Sequence, residues 1–293
     1  MISWIASFLT DRKQRVLVQD VVSDWVSVPS GVPQGSVLGR VLFCLAVDDL
    51  SPVCRNSVMI KYADDVSVLH FVREASDDNL QEEWNNIVSW SNSTNLPLNF
   101  SKCRVLDFVT SRSLSTKPVI VNQLDSETMF LSQVNHLPFL GVILSSDLRW
   151  NKHFELVIKK AAKRIYVIRN LRRGGCPPPL LWRSYVILIR SVLLYAFPCM
   201  CNAPQYLLDK FLFFERRVCR IINDANVCVP NIISAADTLC EHFFMKIAAN
   251  DRHPLRDLFA LRPTGRSTRQ SNLLQRPLAK TKRFSKSFIR FCK

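Results

Sequence analysis

The sequence predicts an α+β protein on three observations. Up to about residue 148, short β-rich apolar runs are interleaved with amphipathic helical stretches; beyond it, apolar residues recur only at helical spacing. Clusters of Pro, Gly, Ser and Asn separate the early runs, as turns require. The charge divides at nearly the same place. Residues 1–150 hold 12 Lys/Arg against 16 Asp/Glu, a net of −4, while residues 151–293 hold 27 against 8, a net of +19.

The elements follow in order. Met1 to Leu9 reads as the end of a helix, and Arg15–Gln19 and Trp25–Val28 as short strands. Pro29 to Gly35 is dense in turn formers. From Ser36 to Leu50 an apolar helix follows, with Val37, Leu38, Val41, Leu42 and Leu45 on one face. Val58 to Leu69 predicts a hairpin with Ala63-Asp64-Asp65 at its bend and with buried arms. Asp77 to Ser91 is an amphipathic helix, and Arg104–Val109, Pro118–Val121 and Leu137–Leu144 are further strands. Helices are expected at about 150–173, 179–197, 205–223 and 230–248, the first two parted by Gly174-Gly175 and Pro177 to Pro179. The expected organisation is a first domain over 1–148, a helical domain over 149–260 and a basic tail over 261–293.

Composition excludes several classes. A hydrophobic content of 48% is too high for a wholly disordered chain. The apolar start is followed by Asp11-Arg12-Lys13 where a secretory cleavage site would need small residues, so no secretion signal is expected. Cys44, Cys199, Cys219 and Cys240 sit in apolar runs and read as small core side chains in a reducing compartment. Cys199-x-Cys201 and Cys240-x-His242 lack zinc-finger spacing. Tyr185 to Met200, broken by Arg190 and Pro198, is too short and too charged to span a bilayer. The basic half, with Phe284, Phe288 and Phe291 among the terminal charges, suggests a grip on a polyanion.

The chemistry centres on Asp64 and Asp65. Adjacent carboxylates on a rigid hairpin tip suit Mg²⁺, which takes hard oxygen ligands and completes its shell with water and substrate phosphates. Alone the pair is weak, since Asp48-Asp49 occurs without such a setting. The surrounding motifs make it specific. Tyr62-Ala63-Asp64-Asp65 resembles the active-site hairpin of reverse transcriptases. Ser30 to Gly39 (SGVPQGSVLG) is similar to the template- and nucleotide-binding turn of the non-LTR retrotransposon class, and Leu98 to Cys103 (LNFSKC) to its lysine motif. Phe139-Leu140-Gly141-Val142, followed by Leu144 to Leu148, resembles the segment that grips the primer. The helical stretch with Ser191 to Tyr195 and the Arg- and Phe-rich end extend the resemblance over essentially the whole chain.

What the resemblance implies is an RNA-directed DNA polymerase, with a partial right-hand palm followed by an α-helical thumb and connector. It makes Asp64 and Asp65 the metal-binding and catalytic carboxylates, with Mg²⁺, or alternatively Mn²⁺, in a two-ion nucleotidyl transfer. Lys102 becomes the charge set against the triphosphate. Gly31, Pro33, Gln34, Gly35 and Tyr62 contact template or nucleotide, and Phe139, Leu140 and Gly141 hold the primer. The partners are an RNA template, a DNA primer and deoxynucleoside triphosphates, in the nucleus or cytoplasm. Lys159, Lys160, Lys163, Arg164, Arg169, Arg172 and Arg173 would lie along phosphates. Plainer readings stand beside these: Lys102 as a solvated lysine, Phe139 to Gly141 as core strand, and Trp150 and Tyr166 as core.

The family's third catalytic aspartate precedes the turn at Ser30. Asp11, Asp20 and Asp24 lack its setting, so the chain is expected to be truncated and inactive alone. Arg40 stands where the family has proline, and Ala46 to Leu50 departs from the usual helix ending, as in a drifting copy. An enzyme, a non-catalytic nucleic-acid-binding remnant and an inert product of a decayed element remain the three functional hypotheses.

Overall fold

The computed structural model describes residues 2–108, 117–124, 127–222 and 230–256, with the backbone of 260–261 and 274–275. The Phe-rich end and most of the expected tail lie outside the described residues. Mixed helices and small, mainly antiparallel ribbons make up two compact units: residues 1–105 with 111–133, and residues 106–110 with 134–293.

The first unit opens with α1 (Ile2–Leu9), then four two-residue strands: β1 (Lys13–Gln14), β2 (Leu17–Val18), β3 (Val21–Val22) and β4 (Val26–Ser27). They form nested ribbons, β2 on β3 inside β1 on β4. After the glycine-rich turn comes α2 (Val37–Ala46), with Ser36 as its N-cap, the hydroxyl accepting from the Gly39 amide. The expected hairpin is present as β5 (Ser57–Tyr62) and β6 (Asp65–His70) in unbroken register. Next stands α3 (Leu80–Thr94), closed by Asn95 in the left-handed conformation. Short strands β7 (Arg104–Val105), β8 (Ile120–Leu124), β9 (Glu127–Phe130) and β10 (Ser132–Gln133) complete the unit.

Two expectations about this unit need correction. The hairpin arms are not buried: Val58, Ile60, Val66 and Leu69 are exposed. A two-stranded ribbon has two faces: that of Ser57, Met59, Lys61, Val68 and His70 is the better covered, and even there Val66 is exposed. The apolar stripe of α2 likewise leaves Val37, Val41 and Leu45 exposed.

The second unit begins with the hairpin β11 (His136–Phe139) and β12 (Val142–Ser145) and continues into α4 (Asn151–Arg173). The units therefore part at 133/134, ahead of the composition change near 148. The hairpin joins the helices because the Ile143 amide donates to Nδ1 of buried His153 (3.2 Å) and the Tyr195 hydroxyl donates to the Leu140 carbonyl (2.8 Å).

Phe154, Val157, Ala161, Ile165 and Ile168 form the buried stripe of α4 at helical spacing. They pack on α8 (Gln205–Ile222), with Phe154 stacked on Phe211 at 4.5 Å between ring centroids, and α9 (Ile232–Ala249) joins the same core through Ile232, Ala236 and Cys240. The helix expected over 179–197 is broken. It runs as α5 (Pro178–Tyr185), a π-helical turn (Val186–Arg190) and α6 (Ser191–Leu193), then restarts as α7 (Phe197–Met200) after Ala196 turns left-handed. Pro198 has no amide to continue the helix, which accounts for the break.

The π-helical turn ends at Arg190, whose buried guanidinium pairs with Glu215 and donates to the Pro230 carbonyl. Glu215 also accepts from the Tyr185 hydroxyl (2.8 Å) and the Ile232 amide (2.7 Å), so the buried carboxylate is fully partnered. Of the cysteines expected in the core, Cys240 is buried and Cys219 half-buried, but Cys44 and Cys199 are exposed, because an apolar run on a surface helix still has an outer face. Cys44, Cys54, Cys103, Cys176, Cys199 and Cys219 carry free thiols. No described helix is long and apolar enough to cross a membrane.

Candidate active site

The tip of the β5–β6 hairpin is a two-residue turn, Ala63-Asp64, between the cross-strand pair Tyr62 and Asp65. Ala63 has φ of 53°, a left-handed backbone that a residue with a Cβ adopts at a cost, and it is the one residue of this turn with positive φ. That pattern belongs to the type II′ hairpin turns, whose first position normally takes glycine. Strain of this kind concentrates where a backbone must present particular groups. Asp64, Asp65 and Tyr62 are all exposed. Among the described residues, neither carboxylate has a hydrogen bond or ion pair to neutralise it.

Two polar side chains fix the ribbon, Lys61 next to its tip and His70 at its base. Lys61 donates from Nζ to the carbonyls of Val47 (2.7 Å) and Asp48 (2.9 Å), capping the end of α2 with a cation. His70 bonds the Ser57 hydroxyl through Nδ1 (2.8 Å), while Nε2 meets the Asp77 carbonyl (2.8 Å) and the Asn79 amide (3.2 Å) at the start of α3. Glu83 on α3 is fully buried and accepts from the amides of Cys54 (2.7 Å) and Val53 (3.3 Å), just before β5. Burial pushes its carboxyl pKa up. The Cys54 amide, the Ser57 hydroxyl and the Val53 amide outweigh that and hold it below the ordinary 4.5. The same surroundings, burial first and then Glu83, push the Cys54 thiol up to about 11.

The turn before α2 is built from Pro33, Gln34, Gly35 and Ser36. Gly35 has φ of 83°, and the Ser36 hydroxyl donates to the Pro33 carbonyl at 2.8 Å. This is the type II pattern, with glycine where φ must be positive. Gln34 is exposed at its corner. Gly31 also has positive φ, 77°, and Arg12 donates to its carbonyl (2.7 Å) and to that of Ser30 (2.8 Å). Gly39 is needed for a different reason: a Cβ there would lie 2.7 Å from the Pro33 carbonyl.

Lys102 sits in the turn after α3, its amide bonded to the Asn99 carbonyl at 2.9 Å and its side chain exposed. No hydrogen bond or ion pair links it to Asp64 or Asp65. Phe139, Leu140 and Gly141 form the tip of the β11–β12 hairpin in the second unit. Leu140 (φ 45°) and Gly141 (φ 83°) make a two-residue turn with both φ positive, the type I′ pattern. The ring of Tyr195 closes over it, so that a Cβ on Gly141 would meet the ring at 3.0 Å.

Sequence reasoning missed Arg12, Lys61, Glu83 and the part played by Tyr195. Lys61 was detectable as a charge amid the apolar residues of a strand; Arg12 and Glu83 carried no local signal. Of the residues weighed between core and contact, Trp150 is half-buried and donates to Asn202 (2.9 Å), whereas Tyr166 is exposed.

Comparisons with known proteins cover the segment that holds both the strained acidic hairpin and the glycine-shaped turn. Residues 1–144 match the sequence profile of the reverse transcriptases, RNA-dependent DNA polymerases. Residues 1–144 belong to the reverse transcriptase family. The chain is 30% identical over 155 residues to the probable RNA-directed DNA polymerase from transposon X-element of Drosophila melanogaster, covering 51% of this chain and 16% of that protein. It is 31% identical over 233 residues to the RNA-directed DNA polymerase from mobile element jockey of Drosophila funebris, covering 75% of this chain and 25% of that protein. The probable polymerase from transposon BS of Drosophila melanogaster is 24% identical over 233 residues, with the same coverage. The chain thus spans a quarter or less of the length of these relatives. No solved structure matches. The reverse transcriptase domain therefore contains both the Asp64-Asp65 hairpin and the Gly31–Gly35 turn.

Proposed function

We propose that this chain is a palm-and-thumb portion of an RNA-directed DNA polymerase of a non-LTR element, with Asp64 and Asp65 as its metal-holding carboxylates. The observation that carries the reading is the pair of unneutralised acids on a turn whose first residue is forced left-handed. Two hard oxygen donors side by side, free of competing cations, fit Mg²⁺ or Mn²⁺. Such an ion, when bound, would polarise a primer hydroxyl and offset charge on a triphosphate.

The chain's own residues would do the rest. The Gly31–Gly35 turn lets a nucleotide approach the backbone closely, with Pro33 stiffening it and Gln34 offering both donor and acceptor. Tyr62 lies exposed beside the carboxylates to meet the primer end. Lys102 supplies a cation for the triphosphate, and the Phe139–Gly141 tip, braced by Tyr195, holds the primer strand. The basic helices take the phosphates of template and primer, substrates met in the nucleus or cytoplasm.

Among the described residues, no group of three His, Cys, Asp or Glu side chains lies close enough to hold a metal ion. Two carboxylates bind a divalent ion weakly, so the 293-residue chain alone is expected to give no primer extension. Mn²⁺ binding followed by electron paramagnetic resonance tests the site: wild type should bind and D64N/D65N should not. Equal binding by the two would sink the metal assignment. Extension of a DNA primer on an RNA template, abolished by D64N, would overturn the expected inactivity. The net of +19 over residues 151–293 favours a second reading, a non-catalytic nucleic-acid-binding remnant.

A further inference from the structure

The last turns of α4 and α8 flank an open cleft of about 410 Å³ lined by Arg169, Arg172, Arg173, Arg217, Arg220 and Ile221. The spacings are those of helix faces: i, i+3 and i+4 on α4, and i, i+3 on α8. Among the described residues, no acidic side chain lines the cleft. Arg172 donates to the Ile221 carbonyl. The other four guanidiniums have no carboxylate partner among the described residues. All five arginines are exposed.

Five like charges converging on one space oppose one another. The two helix C-termini contribute roughly half a negative charge each, far too little to balance them. The cleft is also unlike a small-molecule pocket, which is mostly apolar with a few polar groups. Guanidinium forks match the paired oxygens of a phosphate, and arginine loses less water than lysine on making that contact.

We propose that this cleft is a phosphodiester-binding site, in which arginines from both helices clamp the backbone of an RNA or DNA strand without reading its bases. The proposal rests on the polymerase-family reading for its choice of nucleic acid over an acidic protein, and it adds a defined anchor to the general basic surface.

The test uses the full chain and fluorescence anisotropy with labelled RNA and DNA oligonucleotides of mixed sequence. EDTA is present and nucleotides are absent, so the result does not depend on the Asp64-Asp65 hairpin. The variant R169Q/R173Q/R217Q/R220Q should bind single-stranded oligonucleotides at least about tenfold more weakly, with a log–log salt slope shallower by about 0.7 for each phosphate no longer neutralised. K152Q/R183Q/K210Q/K246Q removes the same charge from other exposed positions of the helical unit and should lose less than about threefold. R217K/R220K keeps the charge and the fold but removes two forks, and should lose about three- to tenfold. Unlabelled RNA and DNA competitors show which strand is preferred. Equal losses in the two four-charge variants, wild-type binding by R217K/R220K, or displacement by poly-glutamate as effective as by RNA would each overturn the proposal.

Discussion

In the unit built on α4, α8 and α9, each long helix turns a continuous stripe inward, and Phe154, Phe211, Ile168, Leu207 and Ile232 are fully buried. In the unit bearing Asp64 and Asp65, the buried apolar residues among those described are Val47, Leu50, Trp84 and Val119, while Val37 on α2 is 82% exposed. Long amphipathic helices can close a core among themselves. Two-stranded ribbons cannot, because each keeps a second face and two open edges. The ribbon unit is instead held by discrete polar locks: Arg12 on the Gly31 loop, Lys61 on the end of α2, and Glu83 under the Val53–Cys54 segment. A core spreads its cohesion over many contacts, whereas a lock concentrates it in one or two bonds.

Single substitutions challenge this contrast when read out by hydrogen exchange, which reports each unit separately. The largest effect is expected from Glu215→Ala, which strands Arg190 as a buried unpaired cation and should cost the helical unit about 3–5 kcal/mol. Amides of α4 and α8 should then exchange faster while those of β5 and β6 keep their rates; the reverse pattern would show that the buried network does not belong to the helical core.

Gly39→Ala comes next and tests the ribbon unit. Alanine adds about 1 kcal/mol of helix propensity, yet its Cβ would press on the Pro33 carbonyl and the Ser36 cap, costing about 1–3 kcal/mol. Net loss, with faster exchange confined to α2 and its turn, is expected; stabilisation would mean that the turn adjusts freely.

Tyr195→Phe removes one hydrogen bond to the Leu140 carbonyl and should cost about 0.5–1.5 kcal/mol, seen as loosening of the β11–β12 tip alone. The smallest effect concerns pH. Burial first, and then Lys160, lower the pKa of His153 below its ordinary 6.5. In the unfolded chain the imidazole takes up a proton as pH falls through 6.5, and the folded chain resists it. This contribution to stability is therefore present above 6.5 and lost below. Thermal melts across this window should show a decline that His153→Gln flattens; parallel profiles would assign the decline to other groups.

Most of the elements were legible before any coordinates. The β5–β6 hairpin and α4, α8 and α9 match their expected spans because alternation and helical periodicity ran long enough to define them. The break at Ala196 was less legible, since apolar periodicity continues through a stretch that Pro198 interrupts. Burial of the hairpin arms was misjudged because a β-rich run reads the same whether or not another layer covers it. At the site, Gly31, Gly35 and the Asp64-Asp65 tip were marked by residue type. Arg12 and Glu83 were not, since their bonds reach residues roughly 20 to 30 positions away.

Residue order alone was enough to set the β5–β6 hairpin with its acidic tip, the long helices α4, α8 and α9, and the division of charge, all of which depend on neighbours within a few residues. Leu137–Leu144, expected as one strand, instead folds back as the β11–β12 hairpin. Three further facts came from the assembled fold: the β11–β12 hairpin joins the helices, Glu83 lies under the start of β5, and arginines from α4 and α8 line one cleft. Each depends on which distant side chains meet, and local periodicity carries no record of that.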